Sequence, residues 1–522
     1  MVNESFANTL LVEVEGSPLA ADVASLMTYA SVEDSRNLPD MFVLRFRDPQ
    51  HIVLAKAKLT IGAKVVLKVQ TADAGGPQPL MAGDITAVEL ELDRGGTVIE
   101  VRGLDPAHRL FRGRRVAAYP DMTVADIVRK VAERAGLKPG RIDAMPGVGG
   151  QRDTQLCQDN ISDWDFLSRL ADLVGAQLAV VDGALDFRLP APPSAAPETS
   201  AKATTEPLVL EAHRNLVALR ASVSAAEQVP TVQARGWDYE HKQEVSATAT
   251  PNTAGAQLAG VDPVRLAKTF GAPPFLAASA SWHTPGMVKA VAEAVAGQLG
   301  GACAELEGVA KGNVKLRAGV AVALANVAEP FTGKYTLTST RHLFSESAGY
   351  TTGFTASGRQ ERSLHGLVSG GSGGGGGDRA GGLVPAIVSD VRDPQKMGRV
   401  KLTFPWLAKD FTSGWARTVH TGAGKARGAL VLPEVGDEVL AGFAHGDFNE
   451  PYVLGGLFNG KDSAPALSTD PVDGTSGEIA ARGFVSRTGH RVELLEKDGI
   501  YVATGDGKVS VRLDSRQGVV EI

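Results

Sequence analysis

Apolar and polar residues alternate along most of the chain. In "NTLLVEVEGSPL", "FVLRFRD", "KVVLKVQ" and "TVIEVRGLD" roughly every second side chain is apolar, the period of a strand with one face on a core. Three stretches switch to helical spacing. In "DMTVADIVRKVAERAGLKPG" the apolar positions Val124, Ile127, Val128, Val131 and Ala135 share one helical face, Thr123 is placed to cap the start, and Gly136 and Pro139 stop it. In "ISDWDFLSRLADLVGAQLAVVDGALDF", Ser162 is the cap, and Trp164, Leu167, Leu170, Ala171 and Val174 form the apolar stripe. Gly175 ends that helix before a hairpin turning at Asp182-Gly183. The third helix, in "HTPGMVKAVAEAVAGQLGG", opens on Thr284-Pro285 and ends at Gly300. The pattern predicts a chain that is mainly β with inserted helices, an α+β fold.

From Pro385 the alternation continues in shorter pieces. "PAIVSDVRDPQKMGRVKLTFPW" reads as a strand, a turn at Asp393 to Gly398 and a second strand, and "GWARTVHTG" and "GALVLPEVGDEVLAGFAHGDFNEPYVLGGLFNG" add more with short Gly- and Asp-rich turns. About five strands in so short a span fit a small closed barrel of the OB type. The tail "GFVSRTGHRVELLEKDGIYVATGDGKVSVRLDSRQGVVEI" repeats apolar positions at Val492 and Leu494, Ile500 and Val502, Val509, Val511 and Leu513, then Val520 and Ile522. Turns at Asp498-Gly499, Gly505-Asp506-Gly507 and Gln517-Gly518 separate them. Each piece has an apolar face and too little mass to bury it alone. Three copies wound about one axis would close the strand edges and cover those faces.

Composition sets the joints and excludes several classes. With 522 residues the chain calls for about three or four units. "LPAPPSAAPETSAKATTEP", residues 189–207, reads as an exposed loop, and "GLVSGGSGGGGGDRAGG", residues 366–382, as a tether. No strand pattern precedes that glycine run and no helix follows, so it is not a phosphate loop. The net charge of -6, from 53 Lys plus Arg against 59 Asp plus Glu, is not the basic footprint of a nucleic-acid binder. Two cysteines, Cys157 and Cys303, make neither a disulfide framework nor a thiolate cluster. "MVNESFANTLLVEVEGSPL" lacks the basic and apolar regions of a signal peptide, and no run reaches the about 18 apolar residues of a membrane span. Synthesis in the cytoplasm without a cleaved signal is expected.

Candidate chemistry reduces to two spots. Asp163 and Asp165 flank Trp164, but residues two apart on a helix point in different directions, and both sit in a first turn where negative charge suits the helix dipole. In "HGDFNEPYVLGGLFNG", His445, Gly446, Asp447 and Asn449 connect two strands; an Asp and an Asn there shape a turn, and Pro451 restricts the next strand. A metal would need further ligands, and the nearest histidine, His420, lies on another strand. There is no nucleophile elbow, zinc motif or thiol dyad. No catalytic, cofactor-binding or metal-binding residue is assigned, and no cofactor is expected.

Several of these stretches resemble one family. "QDNISDWDFLSRLADLVGAQLAVVDGALDF", "GKYTLTSTRHLFSESAGYTTGFTASG" (333–358) and "NLPDMFVLRFRD" are similar to the tail-hub domain of contractile phages and VgrG spike proteins. "VRDPQKMGRVKLTFPW" and "LPEVGDEVLAGFAHGDFNEPYVLGGLFNG" resemble the OB domain of the same family, and "SRTGHRVEL" resembles the start of its β-prism. The resemblance implies a hub of two β-barrel-like subdomains (1–365), the linker (366–382), an OB domain (383–460) and a short trimeric β-prism or β-helix spike (461–522). It implies a homotrimer in which three chains form a ring of six barrels, adapting a six-fold inner tube to a three-fold, membrane-puncturing needle. Expected partners are inner-tube and baseplate proteins, a PAAR-type tip protein capping the apolar end at Ile522, effector cargo, and transiently a target membrane. The particle would be cytoplasmic or released outside the cell. Extracellular phage-tail-like particles, type VI secretion and phage spikes all remain open, with the first the best match. Two other classes are weighed: a cell-wall hydrolase and an oligonucleotide-binding OB module. Only 22 residues separate Asn459 from Arg482, too few for an inserted lysozyme domain. The barrel lacks aromatics interleaved with basic residues, and Phe404, Trp406 and Trp415 read as core or subunit-contact residues.

Overall fold

The computed structural model describes residues 8–36, 38–71, 76–145, 147–150, 154–181, 183–252, 255–357 and 382–522. The glycine run expected as a tether lies outside them, except for Gly382.

The expected helices form where the caps place them. Thr123 accepts the backbone N–H of Asp126 and starts helix Val124–Arg134. Ser162 accepts that of Asp165 and starts helix Asp163–Val174, which Gly175 ends in the left-handed region at φ 69°. Thr284 does the same for Pro285–Gly301. The first two helices bury their stripes, with Tyr119, Phe166 and Phe187, in one core under the hairpin Gln177–Val181/Ala184–Arg188.

One eleven-stranded sheet organises the rest of the front part. Its order is Leu216–Val223, Ala304–Lys311, Gly349–Ala356, Ser339–Ser345, Met27–Ser35, Met41–Arg47, Gly96–Leu104, Gln78–Asp93, Lys64–Gln70, Thr9–Val14 and Ser17–Pro18. The two halves of the sequence join where Ser339–Ser345 pairs antiparallel with Met27–Ser35. Two cores lie on the sheet's apolar side. One gathers Phe42, Leu44, Phe46, Leu67 and Val101; the other gathers Leu306, Leu324, Tyr335 and Phe354. Both cores are held on one continuous sheet. Segment 189–207 is irregular, as its composition predicts, but it is packed rather than loose. Pro193 and Ala196 are buried, Thr336 Oγ1 donates to the Ala191 carbonyl at 3.0 Å, and Lys334 pairs with Glu198 at 2.7 Å.

The OB part has six strands in the order Ala408–Thr412, Lys401–Phe404, Val384–Asp390, Glu438–Phe443, Pro451–Gly456, Arg417–Thr418. A bridge between Val400 and Ala416 returns the last strand to the second and curls the sheet on itself. Its turn is the expected one: Asp393 accepts the N–H groups of Gln395, Met397 and Arg399, and Gly398 takes φ 75°. Beyond it, five strands, Ala481–Val485, Arg491–Leu495, Gly499–Ala503, Ser510–Asp514 and Val519–Glu521, form an antiparallel meander.

Candidate functional site

Three features carry the functional reading: the joint between front part and barrel, the open edges of the large sheet, and the bare face of the meander.

The joint is built on the turn at residues 444–450. His445 adopts φ 50° in a single 3-10 turn, a conformation that a short polar turn tolerates. Asp447 accepts both the backbone N–H and the Nδ2 of Asn449, at 3.0 and 2.8 Å. That fixes the Asn449 side chain so that its Oδ1 accepts the Cys157 N–H at 2.6 Å. Gln155 adds a bond from Nε2 to the Thr412 carbonyl at 2.9 Å, and Cys157 itself sits in the barrel core. Burial pushes its thiol up to about 12. Phe448 anchors the turn from inside, stacked on Phe443 at 4.9 Å and near Phe411 and Phe404.

Glu450, the next residue, reaches the segment that precedes helix Pro285–Gly301. Its Oε1 lies 2.8 Å from His283 Nε2, while His283 Nδ1 lies 2.8 Å from the Trp237 carbonyl, to which it donates. Burial disfavours the imidazolium, but the bond and charge of Glu450 outweigh it and hold the His283 pKa above its ordinary value. Glu450 is also raised, by burial first and by Asp447. The Tyr239 ring meets His283 edge-on at 4.8 Å and carries the Arg417 guanidinium at 5.2 Å. Arg399, bonded to Asp393 at 2.7 Å with both side chains sealed, donates to the Tyr239 hydroxyl at 3.4 Å. The barrel is thus gripped by two separate elements of the front part.

These contacts hold the barrel in place, and the candidate chemical residues have structural partners. Asp163 is buried with Arg134 at 2.6 Å and Gln158 at 2.9 Å, and Asp165 accepts from Ser162 Oγ at 2.6 Å. His445 is exposed, and among the described residues no group of three or more His, Cys, Asp or Glu is arranged to hold a metal. Phe404 is core, Trp406 bonds the Pro385 carbonyl through Nε1, and Trp415 lies under Lys401 at 5.0 Å. Sequence reasoning found the turn but missed its partners Cys157 and His283, which lie far along the chain and belong to no motif.

The second feature is a pair of open edges. Leu216–Val223 ends the sheet, and among the described residues no further strand pairs with its outer side. The sixteen-residue strand Gln78–Asp93 is paired on its Lys64–Gln70 side only as far as Ile85, which bonds Gly62 and Ala63; beyond it, among the described residues, strand pairing is found only on the Gly96–Leu104 side. Eight strands lie between and including these edges, and their polar face carries cross-strand ion pairs Arg220–Glu307, Arg341–Glu33, Arg45–Glu100 and Arg102–Glu89. In the meander, Val492, Leu494, Ile500, Val502, Val511, Leu513 and Val520 all lie on one face and all are exposed.

A curled OB barrel docked on a two-core hub sheet and followed by a meander with a bare apolar face is an arrangement similar to that of VgrG proteins. Residues 384–458 match the type VI secretion system/phage-baseplate injector OB domain. Residues 62–346, more than half of the chain, match the Alg8 N-terminal domain, and the chain belongs to that family. The type VI secretion system spike protein VgrG5 of Pseudomonas aeruginosa is 42% identical over 72 residues, 13% of this chain and 9% of that protein. VgrG3 of Vibrio cholerae serotype O1 is 35% identical over 77 residues, 14% and 8% of the two chains. The chain therefore spans less than a tenth of each of these relatives. Among solved structures, a chain of the half-lidded Francisella PdpA–VgrG complex aligns with a TM-score of 0.52 at 8% identity, covering 96% of this chain and 88% of that one. A chain of the lidless PdpA–VgrG complex gives 0.52 at 8%, covering 97% and 94%. At that identity the likeness is one of fold.

Proposed function

We propose that this chain is the structural spike and hub of a contractile injection machine, acting as a homotrimer and catalysing no reaction. The observation that carries the proposal is the apolar face of the meander. Seven aliphatic side chains exposed together on one sheet face are a docking surface, and a second and third copy of the same sheet match it in shape and chemistry. The open edges of the large sheet support the same symmetry. The eight strands between them alternate in direction, so Leu216–Val223 of one copy can pair antiparallel with the free half of Gln78–Asp93 of the next, and a ring closes both of these edges. Each copy brings two subdomain cores, so three make six, and the ion-paired face lines the bore.

In this reading residues 8–357 stack on a six-fold inner tube, the OB barrel narrows the assembly, and the meander winds into the three-fold needle. Inner-tube and baseplate proteins meet the hub end, a PAAR-type protein caps the apolar tip, and cargo rides on the spike. A sheath drives the needle through a target envelope. The joint at Asn449 and Glu450 passes that thrust from hub to barrel through hydrogen bonds and an ion pair. An extracellular phage-tail-like particle is the setting proposed, with type VI secretion, for which the matched relatives are named, beside it.

Light scattering on the purified chain tests this. A mass near three times 54.4 kDa that falls on removal of residues 483–522 is expected. A stable monomer at micromolar concentration sinks the proposal.

A further inference from the structure

A cleft of about 1550 Å³ lies between the polar face of the large sheet and helix Pro285–Gly301. Its walls are low. Ala290, Ala294 and Gly297 face it from the helix, and Ser339, Gly353 and Thr355 from the sheet. At one end stands Arg36. The residue is half-buried, but its Nε and Nη2 are sealed from solvent and have no hydrogen-bond acceptor among the described residues. Sealed guanidinium donors are costly without an acceptor, and native proteins rarely leave them so.

The neighbouring carboxylates do not serve it. Asp34 accepts from Arg317 and from the Ala318 N–H at 3.1 Å, and Asp40 accepts from Arg317 at 3.3 Å. A second guanidinium, Arg188, adds to the positive charge. Burial first, and Arg188 second, lower the Arg36 pKa to about 10. Asp34 favours the charged guanidinium from nearby, but it is engaged by Arg317 and the Ala318 N–H, so no carboxylate among the described residues accepts a hydrogen bond from the sealed Nε and Nη2.

We propose that the cleft binds an extended polypeptide segment and seats a carboxylate of that segment on Arg36. A guanidinium fork matches a carboxylate or a phosphate, and the rest of the lining selects between them. Glu33 and Glu307 along the same cleft already pair with Arg341 and Arg220, which leaves Arg36 as the lining arginine without an ion pair among the described residues and matches a single carboxylate better than a polyanion. Phe354 lines it too but is 3% exposed, leaving no ring for a base or sugar to stack on. The volume exceeds the roughly 300–1,000 Å³ of small-molecule pockets, whereas small side chains on both walls leave room for a backbone. Every lining residue belongs to one chain, and the sheet wall is part of the ion-paired face that lines the bore in the trimer proposed above.

The test uses the full-length protein and fluorescence anisotropy. The probes are a fluorescein-labelled peptide with one Glu among Ser and Ala, its Gln counterpart, and unlabelled inorganic phosphate as competitor. The Glu peptide should bind, the Gln peptide about tenfold more weakly, and R36Q should lose the difference, as expected for one charge-assisted contact. R36K should retain part of it, and phosphate should compete weakly. The melting temperature of R36Q should not fall, because a sealed, unpaired charge is removed. The proposal is overturned if neither peptide binds, if both bind equally, if R36Q with an unchanged melt still distinguishes them, or if phosphate displaces the peptide as readily as unlabelled peptide does. Should R36Q fail to fold, the Glu-to-Gln contrast on the wild type and on R36K decides.

Discussion

Val502 sits in the middle strand of the meander, between Val492 and Val511 on the apolar face, and is 42% exposed. Fully burying a Val or Leu side chain is worth about 1.5–3 kcal/mol, so covering its open fraction contributes roughly 1 kcal/mol per chain and roughly 3 per trimer. Summed over the seven aliphatic positions, the face contributes roughly 6 kcal/mol per chain before the entropy of association is subtracted. V502D replaces that gain with a carboxylate in an apolar, three-fold interface, where each unpaired charge costs several kcal/mol and three repel one another. On an isolated chain the same change is a surface substitution worth within about 0.5 kcal/mol. Light scattering against concentration, beside a thermal melt, separates the two cases. We expect V502D to be monomeric at concentrations where the wild type is trimeric, and V502A to be intermediate. A V502D protein that keeps the wild-type mass would refute the assignment of this face as the trimer contact.

Three further outcomes follow from the joint and the helix tip. His283 and Glu450 both have raised folded pKa values. The His283 contribution is fully present below about pH 6.5, its unfolded value, and is lost as pH rises through its folded pKa, and the Glu450 shift has the same sign from about pH 4.5 upward. The groups facing the pair are Asp447, Tyr239 and Arg417. Protease cleavage at the joint should therefore increase from mildly acidic to mildly alkaline pH, and H283Q should flatten the profile; a wild-type profile already flat would remove the pair from the joint's energetics. D163N leaves Arg134 facing a neutral amide in a buried network with Tyr119 and Gln158. Breaking a buried pair costs about 3–5 kcal/mol, with the low end expected because Arg134 keeps some water contact, and a urea midpoint unchanged by D163N would contradict this. The buried Cys157 thiol, pushed up to about 12, should react with a thiol reagent only as fast as the protein unfolds; rapid labelling of the folded chain would show that the joint opens.

Local rules carried the sequence reading a long way. Thr123, Ser162 and Thr284 each cap the helix expected of them, and Gly175 and Gly398 take the positive φ their turns need. Capping and turn geometry depend on neighbours within a few residues, so they are legible one stretch at a time. The bare faces of the tail strands were legible for the same reason, because a period of two determines which residues share a face. The irregularity of residues 189–207 was legible in their composition, but not where they pack: a Pro- and Ala-rich segment without periodicity settles where a neighbouring sheet offers it Thr336 and Lys334.

What only the tertiary structure decided lies in pairings between distant residues. Ser339–Ser345 joins Met27–Ser35 and makes two subdomains one sheet. Asn449 meets Cys157, Glu450 meets His283, and Nε and Nη2 of Arg36 are left without an acceptor among the described residues. Alternation tells which face of a strand is apolar, but it does not name the strand beside it, because any edge of matching polarity satisfies the same backbone hydrogen bonds. The partner is selected by which elements can close together over shared cores, and that is a property of the folded chain.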